Sequence, residues 1–494
     1  MSAQSSRPRF ADTVQVRHGV SFSLFPTQIP YPLILTMVRT SLFVAAAAAM
    51  ALPMAVADLR PERRQAESSS SRRHRSSATA TASAGSGSGA VSSPPAFTGS
   101  LPASISSIVA TLTPGTRSPE PTYPLPTTFQ AGATNTYISG APPLPSAPTI
   151  ANYPPLDEPP LRSFQGSEQL LAGIDLSGVK DVPLNQGSAG CGEAGNEANL
   201  ANAGASGNCW WTCGGCTRDT DIVQCPDKNT WGLSYDDGPS PYTPLLLDYL
   251  EKNNLKTTFF VVGSRALSRP DMLAYEYMTG HQLSVHTWSH TSLTTQTNEA
   301  IALELLWTKK IIHDITGVTP NTMRPPYGDI DDRVRGVSKA VGLTPIIWTS
   351  ANGGNYDTND WKIGSGVVSA GEVVSVFDGI IANASTLDHG YIVLAHDLYE
   401  QSVKLATEIV LPQALSQSPK QNIVPIITCL KKPLGDSYVE TNRNTSDSAP
   451  ATNGNNENTS SGSGSGSGAG LNMELSKAHL TIVGAVLFGA ATLL

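Results

Sequence analysis

The chain is poor in positive charge and in cysteine, and its one terminal apolar run is short. Lys and Arg number 32 against 40 Asp and Glu, a net charge of −8. No Lys/Arg stripe crosses the region with strand and helix patterns, which argues against a nucleic-acid partner. The apolar run Leu480 to Leu494 is shorter than the ~20 residues a spanning helix needs, and no charged stop follows it. Hydrophobic residues are sparse in the first third, where Ser, Pro, Ala and Thr dominate, and again after Tyr438. Segments of that kind bury too little apolar surface to fold alone. Only six cysteines occur, Cys191, Cys209, Cys213, Cys216, Cys225 and Cys429.

What is present divides the chain. Residues 1–36 read as a gene-model extension, because Met37 opens a secretory signal: Arg39, then apolar Leu42 to Met54, then Ala55-Val56-Ala57 as a cleavage site. Residues 58–160 read as a disordered Ser/Pro/Thr-rich stalk, 161–224 as a Cys-rich extension, and 433–468 as a Ser/Gly/Asn-rich linker. Small residues around Gly468, a polar spacer and the apolar end form a GPI signal over 469–494, with attachment at Gly468. The alternative for that end is a membrane helix. The expected protein is a monomer, secreted and held by a GPI lipid at the plasma membrane and cell wall. Sequons at Asn383, Asn444 and Asn458 mark N-glycosylation. An even cysteine count behind a signal predicts disulfides. Bridging Cys225 to Cys429 clips the ends of the folded domain together; the other four cysteines can pair in three ways. Cys209, Cys213 and Cys216 also allow a zinc reading, which the secretory setting disfavours.

Residues 225–432 alternate strand and helix. Strands are expected at Trp231–Asp236, Thr257–Val262, Gln282–His286, Thr322–Arg324, Pro345–Thr349, Tyr391–His396 and Ile423–Thr428. Helices are expected at Pro241–Leu255, Asn298–Ile315 with Thr297 as N-cap and Gly317 past its end, Asp332–Val341, Glu372–Ala384 and Val403–Leu415. The fold class is therefore α/β, a distorted (β/α) barrel of about seven parallel strands flanked by disordered terminal segments, with an open doubly wound sheet as the alternative.

Five polar motifs fall at the ends of these strands or in the loops after them. Tyr235-Asp236-Asp237-Gly238-Pro239 places two carboxylates side by side, which repel unless a cation, a proton or an arginine intervenes. His286-Thr287-Trp288-Ser289-His290 has a spacing that lets both imidazoles face one cation, but lacks the Glu of the zinc-protease helix motif. Arg324-Pro325-Pro326-Tyr327 fixes an unusual turn, Asp357-Thr358-Asn359-Asp360-Trp361 follows Trp348 after a Gly/Asn-rich stretch, and Leu394-Ala395-His396-Asp397 closes the set. α/β barrels assemble their sites on that face.

In that order the five motifs resemble polysaccharide deacetylases of the NodB-homology type, carbohydrate esterase family 4, and with the stalk and anchor signal the fungal chitin deacetylases in particular. The resemblance covers about Cys225 to Leu430. It implies a NodB-type barrel and hydrolysis of N-acetyl groups on chitin or chitin oligosaccharides. It implies Zn²⁺, with Co²⁺ as substitute, bound by Asp237, His286 and His290. Asp236 is then the general base and Arg324 its orienting partner. His396 is the general acid, sustained by Asp357; the backbone N–H of Tyr327 is the oxyanion donor. Tyr327, Trp361 and Leu394 hold the substrate, the last two around the acetyl methyl. Competing expectations are a deacetylase of another acetylated glycan and a non-catalytic chitin-binding wall protein.

Overall fold

Strand β1 (Thr230–Asp236) alternates Trp231, Leu233 and Tyr235 with smaller residues, and every position is buried. Burial on both faces is what a parallel sheet covered by helices imposes. The computed structural model describes residues 102–115, 123–187 and 190–444. On one edge of β1, its second half pairs with β2 (Thr258–Val261), and parallel pairing continues through β3 (Gln282–Val285), β4 (Thr322–Met323) and β5 (Thr344–Pro345). A short antiparallel hairpin follows, β6 (Ser350–Ala351) and β7 (Gly354–Asn355). The first half of β1 pairs in parallel with β8 (Tyr391–Ile392) and with β9 (Asn422–Pro425). Between β5 and β8 there is no regular ladder. The chain after β5 closes the ring instead, with the Thr349 N–H donating to the Ile392 carbonyl at 3.0 Å and a bridge between Asp357 and Leu394. The result is the distorted barrel.

The helices between the barrel strands are α1 (Thr243–Lys252), α2 (Gly263–Ser268), α3 (Pro270–Met278), α4 (Asn298–Thr316), α5 (Asp332–Ala340), α6 (Ala370–Ala384), α7 (Glu400–Leu405) and α8 (Leu411–Leu415), the last two joined by the π-helical turn Ala406–Val410. Thr297 caps α4 by accepting from the Ala300 N–H, and Gly317 ends it at φ 79°. Two helices, α2 and α3, stand where no element was expected. Gly263 opens α2 because an added Cβ would lie 2.7 Å from the Trp288 ring. Pro270 begins α3, where a missing N–H costs no helical hydrogen bond. The expected strand Ile423–Thr428 turns into a helical turn at Ile426 (Ile426–Cys429).

The expected boundaries need correction. Residues 102–115 and 123–160, assigned to a stalk, pack on the barrel, with Leu112, Ile138, Leu144 and Tyr153 in the main hydrophobic cluster. Tyr153 stacks on Trp288 with ring centroids 6.1 Å apart and donates to Asp314. A Pro-rich strap needs no core of its own when a few side chains fill grooves on a folded domain. Likewise the chain beyond 432 continues to pack: Tyr438 is fully buried and its hydroxyl accepts from the Leu283 N–H at 3.0 Å. Three disulfides form, Cys225–Cys429 as expected, with Cys191–Cys213 and Cys209–Cys216 resolving the open pairing and removing the zinc reading of that cluster. Among the described residues no helix is long and apolar enough to cross a membrane. Residues 1–36, the signal at 37–57, Asn458, the anchor site Gly468 and the tail 469–494 lie outside the described residues.

Candidate active site

Asp236 is the last residue of β1, and the barrel holds it from the β8 side. Its N–H donates to the Ala395 carbonyl at 2.9 Å, and its own carbonyl accepts from the Asp397 N–H at 3.2 Å. This bridge sets Asp236 beside His396. The next residue, Asp237, takes a left-handed φ of 80° before a cis Gly238–Pro239 bond. The reversal lets two consecutive acids serve one site, against the opposite-face rule of a regular strand. Gly238 is required by close approach: a Cβ there would meet the Asp397 carboxylate at 2.3 Å.

His286 follows β3 and its N–H donates to Val261. Its Nδ1 sits 2.7 Å from the Arg324 carbonyl, so the proton is on Nδ1 and the lone pair is on Nε2. That Nε2 lies 3.2 Å from Asp237 Oδ1, and His290 Nε2 lies 2.9 Å from the same oxygen. Burial holds the His290 ring below its ordinary pKa, which favours the neutral form that binds cations. Ligand atoms of Asp237, His286 and His290 all fall within 4.8 Å of one another. Both Asp237 carboxylate oxygens are buried without a hydrogen-bond donor. A carboxylate facing unprotonated ring nitrogens in a buried place is repulsive by itself and becomes favourable around a divalent cation. The donor set therefore fits a metal of the zinc type.

The loop between the two histidines has a support that the sequence did not announce. Glu304, buried on α4, accepts from the N–H groups of Trp288 and Ser289 at 2.8 and 2.9 Å and from the hydroxyls of Ser289 and Thr291. An acid on the core face of an amphipathic helix was the available signal.

Arg324 is fully buried, lies over the Phe260 ring, and donates from Nη1 to Asp236 Oδ1 at 2.7 Å and to Ser234 Oγ at 3.1 Å. The bond to Asp236 fixes the direction of that carboxylate. Tyr327, at φ 61° and 37% exposed, places its ring 4.8 Å from that of His290. The Gly/Asn-rich stretch before Asp357 is the β6–β7 hairpin, turning at Asn352 and Gly353 with φ 50° and 74°.

One assignment is corrected here. His396 takes its direct partner from Asp360 rather than from Asp357, whose charge acts on the ring without a hydrogen bond. Its Nδ1 pairs with Asp360 Oδ1 at 2.7 Å, and its N–H donates to Asp360 Oδ2 at 2.9 Å. Asp357 instead accepts from the Asn359 N–H at 2.8 Å, closing a turn in which Asn359 adopts φ 59°. That turn brings Asp360, three residues on, back to the barrel mouth. Burial disfavours a charged His396, but the charge and hydrogen bond of Asp360, aided by Asp237 and Asp236, outweigh it and raise its pKa to about 10. Leu394 is buried two residues before His396, and the Trp361 N–H donates to Asp360 Oδ1 at 2.9 Å. Of the expected glycosylation sites, Asn383 sits within α6 and accepts from the Tyr356 hydroxyl at 2.7 Å, while Asn444 ends the described chain.

The chain is similar to several known proteins. A polysaccharide deacetylase family profile matches residues 223–346. Chitin deacetylase 1 of Cryptococcus neoformans var. grubii is 55% identical over 329 residues, covering 65% of this chain and 68% of that protein. A chitin deacetylase of Amylomyces rouxii is 37% identical over 265 residues, 51% of this chain and 60% of its own length. The solved chitin deacetylase of Colletotrichum lindemuthianum is 28% identical, with a TM-score of 0.39 over 46% of this chain and 97% of that one. With 55% identity across two thirds of such a relative, this chain belongs to the polysaccharide deacetylase family of hydrolases.

Proposed function

We propose that the protein hydrolyses N-acetyl groups of chitin's N-acetylglucosamine units, leaving chitosan and acetate. One observation carries the reading: an Asp–His–His cation site stands beside an Arg-paired carboxylate and an Asp-paired imidazole. The names of the relatives above give the glycan.

Asp237, His286 and His290 would hold a divalent ion, Zn²⁺ with Co²⁺ as substitute, which would supply Lewis acidity to the acetamide carbonyl and to a water. Asp236 takes the proton of that water as its oxygen attacks the carbonyl carbon. Arg324 keeps Asp236 aimed through its hydrogen bond. The Tyr327 N–H donates to the developing oxyanion. His396, kept charged by Asp360, delivers its proton to the amine nitrogen as the C–N bond breaks. Acetate and a free amine result, and the polymer stays uncut. Leu394 and Trp361 shape the place of the acetyl methyl. Asp236 Oδ2 lies 3.9 Å from His286 Nε2, and the group of ligand atoms that could share an ion is that of Asp237, His286 and His290, which supports the reading of Asp236 as base.

Acetate release from chitin oligosaccharides, measured with chelator and then with added zinc, tests the reading. Release that stops and returns supports it; release untouched by exhaustive chelation overturns it. Parallel assays on acetylxylan and peptidoglycan separate the other acetylated glycans. We further propose a secreted monomer held by a GPI lipid, for which release from cells by a phosphatidylinositol-specific phospholipase is the check.

A further inference from the structure

We infer that Asp329 is a positioning residue through which the disulfide-bonded extension sets the two active-site loops. The inference rests on the deacetylase reading for what those loops do. Asp329 is buried and follows Tyr327 by two residues. Its Oδ1 accepts from Trp210 Nε1 at 3.0 Å and from the Thr212 hydroxyl at 2.9 Å. Its Oδ2 accepts from the Ser292 hydroxyl at 2.5 Å, and from the N–H and hydroxyl of Thr294 at 3.0 and 2.7 Å. One carboxylate thus joins three segments: the loop carrying Tyr327, the loop two residues past His290, and the extension between Cys209 and Cys216.

The extension is itself fixed, so it can act as an anchor. The Cys209–Cys216 bond brackets Trp210 and Thr212. Arg335 on α5 donates to the carbonyls of Cys209 and Cys216 and pairs with Asp221, and Arg218 pairs with Asp332. The Trp211 N–H donates to the Ile330 carbonyl at 2.9 Å. The Trp211 ring lies so close to Gly328 that a Cβ on Gly328 would come within 2.4 Å of it. Five donors on one buried carboxylate leave it little rotational freedom. Loss of the donors on one side lets the Tyr327 turn and the His290 loop shift relative to each other, and small misplacements of reacting groups cost rate more than binding.

The test compares Thr212→Val, which removes a donor at nearly constant volume, with Thr212→Ser, which keeps it, alongside Trp210→Phe. Steady-state rates on chitin oligosaccharides and amide hydrogen exchange of peptides over 287–297 and 324–331 are both read. The expected result for Thr212→Val is a several-fold fall in kcat with KM unchanged, and faster exchange in both loops, with Thr212→Ser like the parent. Trp210→Phe adds to the effect; if it does not fold, the Thr212 pair alone decides. Parent-like kcat and exchange in Thr212→Val, or faster exchange confined to the extension, overturns the inference. Should the parent itself release no acetate, the functional reading fails, while exchange in the two loops still decides whether Asp329 couples them.

Discussion

His396 Nδ1 lies 2.7 Å from Asp360 Oδ1, and the same carboxylate takes the His396 backbone N–H on its other oxygen. The imidazole is therefore fixed in orientation as well as in charge. Its free Nε2 is the atom that can meet a leaving amine. The pairing distinguishes two acids of one motif: Asp360 works on the ring, and Asp357 shapes the turn that delivers Asp360.

The first prediction concerns pH. With the His396 pKa raised to about 10, the ring stays protonated through neutrality and the alkaline limb of kcat lies well above pH 7. Asp360→Asn removes the main stabiliser of the charged ring. It should lower kcat by roughly 10²-fold and move the alkaline limb acidward by about a unit or more. Asp357→Asn should move that limb less, since Asp357 acts on the ring through its charge alone. The linked stability has a definite sign. A raised folded pKa contributes stability that is complete below the ordinary histidine value of ~6.5 and is lost as pH rises through about 10. A pH–kcat profile and melting curves across that window check both statements; equal behaviour of the two variants would refute the assignment.

The second prediction separates base from ligand. Asp236→Asn should cost about 10²- to 10⁴-fold in kcat while the protein still binds one divalent ion. His286→Ala should lose the ion, because the ring that fixes its Nε2 through the Arg324 carbonyl is gone. Metal content after dialysis, set beside turnover, reads the difference. An Asp236→Asn protein devoid of metal would make Asp236 a ligand.

The parts legible in the sequence are those with a local cause. The positions of Asp236, His286, Arg324 and His396, at a strand end or up to four residues past one, could be read because polar motifs interrupt apolar runs. The cap Thr297 and the stop Gly317 could be read because capping chemistry is short-range. What escaped depends on distant partners. Nothing near Pro270 says that it starts a helix rather than ends one. Choosing between Asp357 and Asp360 requires knowing where the turn at Asn359 points. Glu304 and Asp329 acquire meaning only when α4 and the extension are packed against the loops they hold. The strap around Tyr153 escaped because composition reports average hydrophobicity, whereas packing used a few anchors.

The third prediction follows from the Cys225–Cys429 bond, which closes a separation of 204 residues next to β1 and at the end of the barrel. Chain-entropy arguments give a bond of this span about 5 kcal/mol of stabilisation against the unfolded chain. The double variant Cys225→Ala/Cys429→Ala should unfold at markedly lower denaturant, with little change in kcat at temperatures where it remains folded, since neither sulfur touches the site. Equilibrium denaturation beside an activity assay checks this; an unchanged midpoint would mean that the barrel ends are held by packing alone.

The fourth prediction tests the strap. Tyr153 is 6% exposed, stacks on Trp288 at 6.1 Å, meets Trp307 edge-on at 5.8 Å and donates to Asp314. Trp288 in turn donates from its indole to the Pro155 carbonyl at 2.9 Å, and it lies between the two histidines of the cation site. Tyr153→Ala removes a large buried ring and exposes the outer face of the loop that Glu304 holds. A stability loss of about 3–5 kcal/mol is expected. So is rapid protease cutting between residues 123 and 160, where the parent resists. Tyr153→Phe keeps the ring and loses only the hydroxyl, so it should recover most of the stability and the protease resistance. If Tyr153→Ala is as resistant as the parent, the segment does not depend on this ring and the packed boundary must rest on Leu112, Ile138 and Leu144 instead.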